Sequence, residues 1–105
     1  MNLFQIPEKL PQREVFETLV PDKGILVERI ISNGQGSVEG FWYEQERDEL
    51  VFLLQGRAKL AWDNGKNLEM NRGDWVLIPA RERHRVEWTS SAPPCIWLAI
   101  HAKLQ

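Results

Sequence analysis

Cysteine is almost absent. Cys95 is the only one among 105 residues, so no intrachain disulfide can form. Without a disulfide framework a reducing compartment is expected, and the location is read as cytoplasmic. A basic surplus is also missing. Thirteen Lys and Arg stand against 15 Asp and Glu, a net charge of −2, and a nucleic-acid binder would carry a clear positive excess. No nucleic-acid partner is therefore expected. No window approaches the roughly 18–20 apolar residues of a membrane span. The stretch Met1 to Glu8 has neither the basic nor the long apolar region of a signal peptide, so no membrane partner is expected. No segment shows helical periodicity, and there is neither a repeat nor a low-complexity tract. A second core would not fit in this length, so one domain is expected.

What is present is apolar and aromatic. The hydrophobic fraction of 43% is enough for a packed interior. Five Trp in so short a chain is high, and such residues fill a core, wall a pocket or cover an interface. Pro7 and Pro11 keep residues 1–12 irregular, which leaves residues 13–105 as a single β domain.

Short strand signals run along that domain. Val15 to Val20 is one, and Ile25 to Ile31 is a β-branched run closed by Asn33-Gly34. An aromatic-rich segment, Ser37 to Gln45, follows. Leu50 to Leu54 is a continuous apolar run, continued from Lys59 to Trp62 beyond a bend at Gly56. Asp63-Asn64-Gly65 reads as a two-residue type I′ hairpin turn. Leu68 and Met70 lead into a turn at Asn71 to Asp74, then the strand Trp75 to Ile78. From His84 to Trp88 the residues alternate, with His84, Val86 and Trp88 on one face. Cys95 to Ala102 is the last strand. About eight to ten strands at spacings near 8–12 residues predict an all-β sandwich or barrel.

Two segments carry the chemistry. In one, Glu49 heads the apolar run that ends at Gly56. In the other, Gly73, Pro79 and His84 stand at fixed intervals. These segments resemble the two motifs of the cupin superfamily. The first motif has a Gly, two His one residue apart, a Glu, and a Gly seven positions on; Glu49 and Gly56 match its end. The second has Gly, Pro, a further Gly and a His; Gly73, Pro79 and His84 match it. The likeness spans Ser37 to Trp88, half the chain, in the manner of small single-domain bacterial cupins. It implies a jelly-roll barrel, a double-stranded β-helix, with a central pocket for a small molecule. It also implies a divalent metal on three His and one Glu, of which this chain keeps Glu49 and His84. The two missing His positions fall at Tyr43 and Gln45, or at Trp42 and Glu44 with the other spacing. Arg81 stands at the second Gly of motif two, and Trp88 replaces an Asn.

A Glu at the head of an apolar strand is costly to bury unless a cation or donors satisfy it. Glu49 and His84 are thus read either as metal ligands or an acid/base pair, or as a buried pair that staples the barrel. Tyr43 and Gln45 are the candidate third and fourth ligands, or ordinary pocket polarity. His101 completes a Glu–His–His set if Trp97, Ala99 and His101 face the pocket. Trp42, Trp75, Trp88 and Trp97 are candidate pocket walls or core filling. Arg81, Arg83 and Arg85 either draw an anionic substrate or form a solvated loop. Two readings follow. One is a cupin with a divalent metal (Fe, Mn, Ni or Zn) and a small organic acid or aromatic metabolite. The other is a metal-free binding, sensor or accessory protein with no catalytic activity. Because small cupins are often dimers, a homodimer is expected, with the apolar N-terminal segment added to a partner's sheet.

Overall fold

In the computed structural model, which describes all 105 residues, the apolar runs become eight strands and no helix. They are β1 (Val15–Thr18), β2 (Leu26–Ser32), β3 (Asp48–Gln55), β4 (Ala58–Trp62), β5 (Asn67–Met70), β6 (Trp75–Ile78), β7 (His84–Thr89) and β8 (Cys95–Ala102). All pairings are antiparallel. Five strands form one sheet in the order β1-β2-β8-β3-β6, and three form a second in the order β5-β4-β7. Their inner faces meet in a jelly roll.

Alternation decides what faces inward. On β3 the inner residues are Glu49, Val51 and Leu53, paired across the ladder with His101, Ala99 and Trp97 of β8. Leu53, Trp97, Leu60, Trp62 and Met70 are buried together in one apolar cluster. The polar Glu49–His101 end of the same two strands lies beyond that cluster, and there the interior opens into a cavity.

Three local features differ from the sequence expectations. Lys59 to Trp62 does not simply prolong the preceding strand. At Gly56 the chain passes from the five-stranded to the three-stranded sheet. A Cβ at Gly56 would lie 2.8 Å from both Cys95 Sγ and Ser90 Oγ, at a φ of +90°, so only glycine fits. The β4–β5 connection is a three-residue loop. Gly65 N–H bonds the Trp62 carbonyl (3.1 Å) and Trp62 N–H bonds the Lys66 carbonyl (2.8 Å). Gly65 alone has positive φ there, which is a turn closed by a left-handed bulge glycine, not type I′. Finally, the segment Ser37–Gln45 is no full strand. It is held to β7 by an isolated bridge in which Tyr43 and His84 exchange backbone hydrogen bonds of 2.7 and 3.1 Å.

Residues ahead of β1 form no strand and dock back on their own chain. Arg29 donates to the carbonyls of Leu3 (3.1 Å) and Gln5 (2.8 Å), and it pairs with Glu17 at 2.7 Å.

Leu53 is fully buried at the centre of the cluster. Leu53→Ala is expected to cost about 2–5 kcal/mol by lost transfer energy and the cavity left behind. A denaturant midpoint unchanged by the substitution would show that the cluster is not the core.

Candidate functional site

The cavity measures about 60 Å³ and has thirteen lining residues. Four of its groups are carboxylates and imidazoles set within reach of one another. Glu49 comes from β3, His84 from β7, His101 from β8 and Glu28 from β2. Their positions follow from ladder register. Glu49 stands opposite His101, and Glu28 is two pairs along the β2–β8 ladder, opposite Ala99 on the same inner face.

Glu49 is only 8% exposed and lies between two imidazoles. Its Oε1 is 3.5 Å from His84 Nε2, and its Oε2 is 3.8 Å from His101 Nε2. His101 Nε2 is closer still to Glu28 Oε1, at 2.9 Å. The four groups thus form a continuous row: Glu28, His101, Glu49, His84. The His84 ring is fixed from behind by a 2.9 Å hydrogen bond between its Nδ1 and the Glu82 carbonyl. A carbonyl only accepts, so Nδ1 carries hydrogen and Nε2 faces Glu49. Burial by itself would lower the His84 pKa. The hydrogen-bonding contact with Glu49, the Glu82 carbonyl and the nearby carboxylate charges outweigh it, and the imidazole titrates above its ordinary value.

Tyr43 and Gln45 also line the cavity, on the shared side of their segment. The Tyr43 ring stacks on His84 with centroids 5.6 Å apart. Burial, and then the charges of Glu14, Glu49 and Glu28, push its phenol pKa up, so the hydroxyl keeps its proton. Gln45 Oε1 is buried with no hydrogen-bond partner. Its backbone is set by the 2.7 Å bond from Arg81 N–H to the Gln45 carbonyl. Arg81 has a φ of 68°. It therefore adopts the left-handed conformation suited to the glycine of the motif it resembles, at a cost of roughly 1–2 kcal/mol.

Of the four Trp named as walls, Trp97 lines the cavity. Its Nε1–H donates to Ser32 Oγ at 3.1 Å, and Ser32 in turn donates to the Glu14 carboxyl. The other three lie outside. Trp75 is 63% exposed, because it pairs with Phe52 on the outer face of β3 and β6. Trp88 is 39% exposed because a bulge at Glu87 shifts the register, so that Leu60 pairs with Val86 but Lys59 with Trp88. The alternation read through β7 therefore breaks, and Thr89 takes the inner position. Trp42 alternates outward from Tyr43, and its ring lies 5.8 and 5.7 Å from the guanidiniums of Arg83 and Arg85. Neither these arginines nor Arg81 reach the cavity. Glu28 was not a sequence candidate. Its run, Leu26 to Ile31, is apolar on both faces, so parity gave no sign that Glu28 turns inward.

A cupin domain family model matches residues 30–101, well over half of the chain, and the chain belongs to that family. A solved protein of Ralstonia eutropha JMP134, provisionally assigned as a mannose-6-phosphate isomerase, is 43% identical. It has a TM-score of 0.90 over 98% of this chain and 96% of its own. A cupin superfamily protein of Desulfitobacterium hafniense DCB-2 is 17% identical at a TM-score of 0.77, covering 92% and 84%, a likeness of fold alone. An uncharacterised protein of Methanocaldococcus jannaschii is 31% identical over 71 residues, 68% of this chain. The match covers 54% of that relative, so the chain spans about half its length.

Cupins of the usual kind hold a divalent metal on three His and one Glu. Here no three His, Cys, Asp or Glu side chains converge as a metal site. Each imidazole is turned to a carboxylate, and the two substituted positions carry a protonated phenol and a neutral amide. The unpartnered Gln45 oxygen is one point in favour of a cation. Even so, Glu28, His101, Glu49 and His84 are paired in a row and do not converge on one point, an arrangement that fits a resident divalent ion poorly.

The raised His84 pKa has a signed consequence. A group whose pKa is raised on folding stabilises fully below its unfolded value, and that contribution is lost as pH rises through the folded value. Glu49→Gln removes the Glu49 hydrogen bond and charge and leaves burial, so His84 should then titrate below its value in the parent protein. Histidine ring NMR across neutral pH checks this, and an unchanged titration would separate His84 from Glu49.

Proposed function

We propose that this cupin admits a small polar ligand to its barrel cavity and exchanges protons with it through Glu49 and His84. The observation that carries the reading is the buried Glu49 carboxylate set between two imidazoles in a cavity otherwise largely apolar. General acid/base work needs two titratable groups within hydrogen-bond reach of one reacting site, with at least one held in orientation. The Glu82 carbonyl orients His84, and the β3–β8 ladder orients Glu49. Glu49 can then take a proton from one ligand atom while the His84 imidazolium returns one to another, leaving the total unchanged.

The provisional description of the Ralstonia protein supports proton transfer, since aldose–ketose isomerisation moves a proton between adjacent carbons. The phosphate half of such a substrate finds no support, because none of the thirteen lining residues is Lys or Arg. The inner cavity has no room for an aromatic ring, since its volume of about 60 Å³ is far below the roughly 300–1,000 Å³ of drug-sized sites. Assembly as a homodimer belongs to the same proposal. It is supported by the exposed apolar residues Phe4, Phe16, Leu19, Val20 and Ile25. A dimer mass by light scattering is expected, and a monomer at all concentrations would refute that part.

A second reading keeps the cavity but not the chemistry, as a metal-free sensor or accessory protein. Pairing of both His with both Glu favours it, since the groups already satisfy one another. Deuterium exchange from solvent into a bound ligand separates the two. Exchange that falls at least ~100-fold in Glu49→Gln, as loss of general-base catalysis would give, supports acid/base work. Binding without exchange supports the sensor. The metal reading has its own check in elemental analysis of protein purified without chelator or nickel resin. One Fe, Mn, Ni or Zn per chain, lost in Glu49→Ala or His84→Ala, would replace both.

A further inference from the structure

The charge class of the ligand can be read from what the cavity leaves unsatisfied. This rests on the reading that the barrel cavity binds a small molecule. Two voids meet at the row of carboxylates and imidazoles. The inner cavity of about 60 Å³ has room for roughly four water-sized groups at about 10–15 Å³ each. A wider cleft of about 440 Å³ lies outside it and shares Glu28, Gln45 and His101 as common wall. The shared wall sets the narrow void beside the broad one.

Acceptors outnumber donors along that wall. Glu28 and Glu49 present carboxylates, and Gln45 Oε1 is buried with no donor facing it. The imidazole donors are already engaged: His84 Nδ1 with the Glu82 carbonyl, and both Nε2 atoms with carboxylates. Tyr43 adds a hydroxyl that acts in either sense. The one guanidinium in the outer cleft, Arg47, is paired with both oxygens of Asp22, at 3.1 and 3.0 Å. Glu46 adds a further negative charge there. The remaining inner wall offers the rings of Phe16, Tyr43 and Trp97, whose faces attract cations. A buried acceptor without a donor is costly to leave, and apart from the Gln45 amide hydrogens and the Tyr43 hydroxyl this wall has no unengaged donor.

We infer that the ligand is a small organic cation, a primary ammonium whose head enters the inner cavity toward Gln45 and Glu49 while its body lies in the outer cleft. The head is about the size of a water molecule, which the inner volume accommodates. It would give one hydrogen to Gln45 Oε1 and others to the carboxylates, and an anion of the same size would meet Glu28, Glu46 and Glu49, with His84, His101 and Arg47 already paired to carboxylates.

The test compares three probes of equal length, butylammonium, 1-butanol and butyrate, on the full chain by calorimetry and by the indole NMR signal of Trp97. The expected result is saturable butylammonium binding at least ~10-fold tighter than butanol, with no saturable butyrate binding. That factor corresponds to one charge-assisted hydrogen bond of about 1.5 kcal/mol or more. Gln45→Leu should weaken butylammonium by ~5-fold or more and weaken butanol by a smaller factor, because a neutral hydroxyl makes a weaker bond to the amide than an ammonium does. Its loop position makes it a safer variant than those in β3, and an unchanged thermal midpoint verifies its fold. Butanol binding at Trp97 as tight as butylammonium, or tighter butyrate binding, would overturn the charge class and leave the cavity as a binding site. Failure of all three to move Trp97 would overturn both readings.

Discussion

Burying the Glu49 carboxylate at the head of an apolar strand is the constraint around which the interior is arranged. A carboxylate taken out of water needs donors on all sides. Here the neighbouring strands supply them: β7 brings His84 to one oxygen and β8 brings His101 to the other. His101 in turn is tied to Glu28 on β2, so the row crosses four of the eight strands and both sheets. The same row stops the apolar cluster from closing completely. Below it Leu53, Trp62 and Trp97 pack tightly. Beside it the charged groups keep space open, because an apolar side chain pressed against them would strip away what little solvation they retain.

The two sheets divide the labour of holding that row. The β2–β8–β3 ladder fixes Glu28, His101 and Glu49 on one continuous surface, where cross-strand register alone sets their spacing. His84 comes from the opposite sheet and has no such ladder to Glu49. Its position relies on the loop bond at Glu82, on the Tyr43 bridge and on the stacked Tyr43 ring. Segment 37–45, short of being a strand, is therefore as important to the site as any strand. It carries Tyr43 and Gln45 inward and clamps His84 from the rim.

Much of the fold was legible. β6 and β8 lie where the apolar runs Trp75–Ile78 and Cys95–Ala102 put them, because a short β-branched or aromatic run between turn residues has few other uses. The family likeness rested on Glu49, Gly56, Gly73, Pro79 and His84, five residues whose spacing follows strand and turn geometry. What period-two reasoning cannot see is a bulge. The extra residue Glu87 in β7 inverts the faces beyond Val86 and takes Trp88 out to solvent. Nor can it orient a strand that is apolar on both faces. That is why Glu28 was hidden in β2 and why the facing of His101 stayed open until its pairing with Glu49 was in hand. Trp75 misled for a third reason: a large aromatic at the head of a buried strand can still sit on the outer face, paired only with Phe52.

The substitutions in the first motif gain meaning from the charges left behind. A site with three imidazoles and one carboxylate can turn all its lone pairs to one cation. Replacing two of those imidazoles by Tyr43 and Gln45 removes two lone-pair donors, while Glu28 and His101 stand as a second carboxylate–imidazole pair. Glu49 has two imidazoles, His84 and His101, as side-chain partners. The balance of the cavity moves from nitrogen ligands toward oxygen acceptors, with Gln45 Oε1 left over. An interior built in that way does not need a metal to neutralise Glu49. It retains a deficit of hydrogen-bond donors, and a donor brought by the ligand is the simplest means of filling it.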